Sequence, residues 1–272
     1  DSINDENAGY AVSQTYDGGY IITGVIMPYN GDYNDDLWLI KTDSLGNSEW
    51  NLILGGTQSD VGYSVQQTND SGYVITGMTE SYGETLGYDD AWLIKTDSSG
   101  DTLWTKIFGD VIEGRSVQQT SDGGYIVVGN GGLIKTDAVG DAEWINDNVD
   151  GKSVQQTSDG GYIIVGGSLI KTDSTGNVEW INDNVDGISV QQTTDGNYIV
   201  LGESENNILL TKLHVTTTWH VATTGSDASG DGTEANPFAT IQTAIDSSSD
   251  GDSVLVAAGT YVENVTITKN LI

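Results

Sequence analysis

Two stretches concentrate side chains suited to holding a ligand. VIMPYNGDYNDD, residues 25–36, carries Tyr29, Asp32, Tyr33, Asn34, Asp35 and Asp36, and MTESYGETLGYDD, residues 78–90, carries Tyr82, Tyr88, Asp89 and Asp90. Phenol rings beside clustered carboxylates suit stacking on sugar faces and hydrogen bonding to hydroxyls, with Ca²⁺ as an admissible bridge. The plainer reading is a pair of solvated loops. A third candidate is DASGDG, where Asp227, Ser229 and Asp231, with Glu234 beyond, place oxygens at alternate positions as the opening of a calcium loop does. NDNVDG, at Asn146–Gly151 and Asn182–Gly187, begins in the same way, but the twelfth position of the first copy is Thr157 rather than Glu. For all three, the competing reading is a glycine turn whose Asp side chains bond to its own backbone.

Catalytic groups are poorly supplied. The only histidines are His214 and His220, and no nucleophile elbow, phosphate loop or HExxH helix is written. Forty acidic residues guarantee accidental carboxylate pairs, so spacing singles out no glycosidase-type pair. No catalytic residue is assigned.

Those 40 acids face 9 bases, for a formal charge of −31, which repels nucleic acid and anionic membrane surfaces and favours cations. Salt screens the self-repulsion, so a saline, extracellular or cell-surface setting is expected. Cysteine is absent, which removes disulfides and thiolate metal sites. No run of 18 apolar residues offers a membrane helix, and the opening at Asp1 is read as that of a mature product.

The elements that must position these groups are written as a repeat. SVQQT or a close variant recurs with Val12, Val65, Val117, Val154 and Val190 in one column, at spacings of 53, 52, 37 and 36. Each unit reads as a strand, a DGG turn, the strand GYIIVG, a variable connection, the strand LWLIKT, a DSxG turn and a short strand carrying Trp. Asp-Gly pairs such as Asp122-Gly123 are hairpin signals because glycine takes positive φ without steric cost. Thirty-six Gly and 13 Tyr against 2 Pro fit many short strands with little helix. Four-stranded units at this period predict an all-β β-propeller of about five blades. The fifth copy lacks a Trp strand, and TTTWHVATT, with Trp219, is the candidate to supply it, unless the chain is part of a larger ring. The lysine column Lys41, Lys95, Lys135, Lys171 and Lys212 reads either as an anion-binding ring or, preferably, as one lysine per blade paired with an Asp of that blade or its neighbour. The Gln67, Gln119, Gln156 and Gln192 column is expected to hydrogen-bond between blades. In such a blade the second connection and the inter-blade link share one face of the disc. The two Tyr- and Asp-rich stretches are second connections of consecutive units, so they are expected to be neighbours in space.

The pattern SVQQTxDGGYIxxG…WLIKTDxxGxxxW resembles the propeller-like repeats of large secreted and cell-surface prokaryotic proteins, over residues 7 to 215. After it, GSDASGDGTEANPFATIQTAI followed by DSVLVAAGTYVENVTIT resembles the start of a right-handed parallel β-helix of the pectate-lyase-like group, over residues 218 to 268. Phe238, Ile241, Ala244 and Ile245 stand at helical spacing between the two strand stretches. The resemblance implies a propeller at 1–215, with repeats at about 7–60, 61–112, 113–149, 150–186 and 187–215. Residues 216–272 would then be the first coil of a β-helix with a capping helix, expected to be truncated. Catalytic residues of the pectate-lyase-like group lie on later coils, so this chain is read as a non-catalytic extracellular recognition or structural module. Polysaccharide or cell-surface glycan is the favoured partner, Ca²⁺ the one cofactor considered, and assembly through an exposed C-terminal β-edge a further expectation. The alternative is the substrate-binding part of a larger polysaccharide lyase or glycoside hydrolase.

Overall fold

The computed structural model describes residues 7–27, 34–83, 88–109, 111, 113–204, 207–213 and 216–271. The chain divides into two compact units, Asp1–Gln192 with Ile199–Thr211, and Thr193–Tyr198 with Lys212–Ile272.

The repeats fold as blades of a β-propeller, each an antiparallel meander. Blade 1 is β1 (Ala8–Gln14), β2 (Tyr20–Ile26), β3 (Asp36–Thr42) and β4 (Ser48–Leu54). Blade 2 is β5 (Asp60–Gln67), β6 (Tyr73–Thr79), β7 (Asp90–Thr96) and β8 (Thr102–Phe108). Blade 3 is β9 (Glu113–Gln119), β10 (Tyr125–Asn130), β11 (Gly132–Thr136) and β12 (Ala142–Asn146), and blade 4 is β13 (Ser153–Gln156), β14 (Tyr162–Val165), β15 (Leu169–Thr172) and β16 (Val178–Asn182). The fifth sheet has three strands, β17 (Ser189–Gln192), β18 (Tyr198–Ser204) and β19 (Asn207–Leu213).

Each DGG turn is built by its own side chains. In blade 3 the Thr120 carbonyl accepts from Gly123 N–H at 2.9 Å, and Asp122 Oδ1 accepts from Thr120 Oγ1 at 2.5 Å and from Gly124 N–H at 3.0 Å. Gly123 closes the turn at φ +90°, a conformation that costs glycine nothing. Ser71 takes the same position in blade 2 at φ +68°. The second glycine is required by space: a Cβ on Gly124 would lie 2.1 Å from the Thr136 carbonyl oxygen.

Packing between blades follows the two-residue alternation of the strands. Ile21, Leu37 and Leu39 of blade 1 pack against Val65, Tyr73, Ile75, Trp92 and Ile94 of blade 2. The same arrangement joins blades 2 and 3 through Val74, Leu93, Val117 and Tyr125, and blades 3 and 4 through Ile126, Leu133, Val154 and Tyr162. At each joint a Trp of the outer strand meets the next blade's Tyr edge-on: Trp50 and Tyr73 at 5.8 Å, Trp104 and Tyr125 at 5.7 Å, Trp144 and Tyr162 at 5.9 Å between centroids. Val12, Val65, Val117, Val154 and Val190 of the five first strands all line one open depression of ≈ 340 Å³.

The glutamines bond between blades. Gln67, Gln119, Gln156 and Gln192 accept from the turn amides of Tyr16, Asn69, Ser121 and Ser158 of the preceding blade, at 2.7 to 2.9 Å.

In the second unit β20 (Thr218–Val221) pairs in parallel with β21 (Ser253–Val256), and α1 (Ile241–Ser247) lies between them in sequence. The Trp219 strand therefore does not complete the fifth blade. Its indole N–H donates to Asp252 Oδ2 at 3.0 Å and its ring stacks on Phe238 at 5.8 Å. Thr240 caps α1 by accepting from Thr243 N–H, and Ala244 and Ile245 bury its inner face. Phe238, predicted on the helix, instead forms a parallel bridge with Val221, because its N–H donates to the His220 carbonyl at 3.0 Å. The alternating stretch after Gly259 lies in no ladder among the described residues. Val262 and Ile267 stand exposed there.

Candidate functional site

The described ends of the second connections of blades 1 and 2, through Asp35 on one side and Ser81 and Tyr82 on the other, meet at the link between the blades, residues 55–59. At its centre is Asp60, a fully buried carboxylate. It accepts from Gly56 N–H at 2.9 Å, from Ser81 Oγ at 2.7 Å and from the Thr79 hydroxyl. Three donors are what a buried anion requires. Its own amide donates to the Asp35 carbonyl at 2.7 Å, which ties the start of β3 to the start of β5. Ser81 Oγ also accepts from Gln58 N–H at 3.1 Å, which ties the link to the second connection of blade 2.

Asp36 lies against the Cα of Gly55, where a Cβ would stand 1.8 Å from its Oδ1. That oxygen is buried and has no hydrogen-bond partner among the described residues. Burial, and then the neighbouring charges of Asp60 and Asp35, raise the Asp36 carboxyl above its ordinary pKa. Glu80 is raised in the same sense, by burial and then by Asp89. The Tyr82 ring sits 5.4 Å from that of Trp92, tilted by 47°, and its hydroxyl donates to the Gly55 carbonyl. Nearly half of Tyr82 remains exposed. Tyr88 and Asp89 are exposed, and Asp90 is buried against Gly83.

Of the sequence candidates, the structure brings Asp35, Asp36 and Tyr82 to this link and places Asp90 at the foot of the second connection. Tyr29, Asp32 and Tyr33 lie outside the described residues. Asp60, Ser81, Thr79 and Trp92 were not singled out by the sequence. A signal existed for Asp60: it stands two residues before Gly62, where Val149 and Val185, both buried, stand two residues before Gly151 and Gly187. A carboxylate in a valine column is an expensive exception.

The structure does not gather Asp227, Ser229, Asp231 and Glu234 into one ligand set. Asp227 accepts from the amides of Ala239 and Thr240, at 2.8 and 3.0 Å, and from the Thr240 hydroxyl at 2.9 Å. Asp231 accepts from the Thr233 amide and hydroxyl, and Ser229 donates to Ser226 Oγ. Among the described residues no three His, Asp or Glu side chains are grouped so as to hold a metal ion. The NDNVDG segments are blade links: the Asn146 side chain donates to the Gly176 carbonyl at 2.8 Å and accepts from Asn148 N–H.

The lysines are ion-paired within their own blades. Lys41 meets Asp17 at 2.8 Å and Glu49 at 2.7 Å, Lys135 meets Asp122 and Glu143, Lys171 meets Asp159 and Glu179, and Lys95 meets Asp70. These four ammonium groups are buried and also donate to the next residue's carbonyl. Lys212 pairs with Asp195 at 2.6 Å but is half-exposed.

A family model described as "Protein of unknown function (DUF1565)" matches residues 223–268. No curated protein matches the chain. Among solved structures, the chain is similar to a protein of unknown function from Bacteroides caccae, with TM-score 0.46 and 12% identity over 71% of this chain and 73% of that one. It is also similar to Sqt1 from Chaetomium thermophilum, with TM-score 0.33 and 8% identity over 73% of this chain and 80% of that one.

Proposed function

We propose that this chain is a non-catalytic extracellular recognition module that binds carbohydrate at the joint of blades 1 and 2. The observation that carries this reading is that the described ends of two long connections meet on one link, where the half-exposed Tyr82 ring stands near the Asp36 carboxyl and bonds to Gly55, with Tyr88 and Asp89 exposed in the same connection as Tyr82. Blades 3 and 4 join the corresponding strands by one to three residues and carry no such rings. A ring face plus several acceptors suits a sugar, whose apolar face stacks while its hydroxyls donate. The charge of −31 makes a neutral or cationic glycan a better partner than an anionic one unless Ca²⁺ bridges the two.

Binding of the full chain to an immobilised polysaccharide panel, in Ca²⁺ and in EDTA, tests this. Selective capture is expected, together with its loss in Tyr88→Ala and Asp89→Asn, both exposed positions whose exchange leaves the blades intact. Absence of capture by a well-folded chain in both buffers would sink the proposal.

A second reading is favoured by the parallel pairing of β20 with β21 across a helix, the arrangement with which a pectate-lyase-like β-helix would begin. The propeller would then hold polymer for a lyase or hydrolase whose chemistry lies on further coils.

A further inference from the structure

Blade 1 turns to solvent a face that the next blades bury. Blade 2 directs Val65, Tyr73, Ile75, Trp92 and Ile94 at blade 1, and none of them is more than 6% exposed. The same positions in blade 1 hold Val12, Tyr20, Ile22, Trp38 and Ile40, a near-identical set. Yet Val12 is 65% exposed and Tyr20 37%, and the other three are only partly covered. A cavity of ≈ 210 Å³ opens over Ile22, Trp38 and Ile40. Gln14 stands where Gln67, Gln119, Gln156 and Gln192 each accept a turn amide from the blade before, and it is exposed.

We infer that this face is a docking surface for a further blade of the same repeat type, presented by the side that blade 1 shows to blade 2. The occupant's chemistry is set by the interface already built three times in succession. It brings a Val/Ile/Leu layer of the Ile21, Leu37 and Leu39 kind onto Ile22, Trp38 and Ile40. An outer-strand Trp meets the edge of Tyr20 as Trp50 meets Tyr73, and a hairpin-tip N–H reaches Gln14. An unrelated globular partner would have no reason to find apolar, aromatic and acceptor groups at the spacing of this repeat. The inference stands apart from the carbohydrate proposal, which concerns other residues.

The test duplicates residues 151–185 directly ahead of Ala8 in the full chain, which preserves the natural link length to Gly9, and follows hydrogen exchange and urea unfolding. Docking predicts that amides of β1 and β2 slow by on the order of tenfold or more, and that the added repeat shares that protection. Adding Tyr20→Lys and Ile22→Lys to the extended chain should return β1 and β2 to their original exchange and leave blades 2 to 4 unchanged. These side chains are solvent-accessible in the unextended chain, so the double variant keeps its fold there. An added repeat that exchanges freely beside an unchanged β1 overturns the inference. So does a dimer of the unextended chain that Val12→Lys dissociates, since the occupant would then be a second copy.

Discussion

Lys95 Nζ lies 2.9 Å from Asp70 Oδ2, and Asp70 is the one carboxylate that meets this buried ammonium among the described residues. Lys41, Lys135 and Lys171 each have two, because a Glu of the outer strand joins the hairpin Asp. In blade 2 the outer strand has Leu103 at that place, one residue before Trp104, as Glu143 stands one residue before Trp144. The two kinds of blade should therefore respond differently to loss of the Asp. Asp122→Ala leaves Lys135 with Glu143, whereas Asp70→Ala strands Lys95. The second change should cost about 2 kcal/mol, below the ~3–5 typical of a fully buried pair because Asp70 is half-exposed, and the first less than half of that. Urea midpoints of the two variants decide it, and Leu103→Glu on the Asp70→Ala background should restore part of the loss.

Acid should unfold the blades through these same hairpins. Asp122 is held at about 2, below its ordinary 3.8: burial opposes the shift, but the Thr120 hydroxyl and the Lys135 ammonium outweigh it. Asp70 and Asp159 are lowered for the same reasons. A carboxyl with a depressed folded pKa binds fewer protons in the native state, so its stabilisation is complete above 3.8 and is lost as pH falls toward 2. A melting temperature that drops steeply across that window is expected, and Lys135→Met should shallow the drop. An unchanged slope would exclude the Asp122 pair as a contributor.

One tyrosine column offers a direct comparison of covered and uncovered blades. Tyr73 is 2% exposed under Trp50, and Tyr20 is 37% exposed with no preceding blade among the described residues. Tyr73→Ala should cost about 3–5 kcal/mol, the usual range for emptying a buried aromatic site, and Tyr20→Ala under about 1. Denaturant titration measures both. Equal costs would mean that Tyr20 is covered in solution.

Strand order and turns were legible because they are local. Two-residue alternation, Asp-Gly turns and the Trp column recur often enough to mark the four strands of each of blades 1 to 4. The pairing of each lysine with an Asp was legible too, since a buried ammonium needs a counter-charge, but that the Asp belongs to the same blade was not. The fate of Trp219 was not. A Trp strand after LLTKL fits the repeat, and only long-range pairing with β21, together with the Asp252 carboxylate on its indole, places it elsewhere. Phe238 was misplaced for a related reason, because helical spacing says nothing about a strand arriving from Val221. In the candidate site Tyr82 and Asp36 were legible from composition. Asp60 was marked only by its departure from the valine column, since its role depends on donors 19 and 21 residues away, Thr79 and Ser81.

Asp36 separates the chemistry of the site from its stability. A carboxyl raised by burial and by Asp60 and Asp35 binds more protons in the native state than in the unfolded chain. Its sign is therefore opposite to that of Asp122: it costs nothing below 3.8, and the cost grows as pH rises from there to the raised folded value and is complete above it. Asp36→Asn removes the charge that Asp60 and Asp35 repel, while leaving a polar amide in the same place, and should stabilise the chain at pH 7. The gain should shrink toward zero as pH falls to 3.8. Urea unfolding at pH 7 and near pH 4 checks both statements. If the same variant also loses glycan capture while gaining stability, Asp36 is kept charged for binding at the expense of the fold. A variant that is destabilised at pH 7 would mean that the carboxylate is compensated there and that its unused oxygen is not a cost.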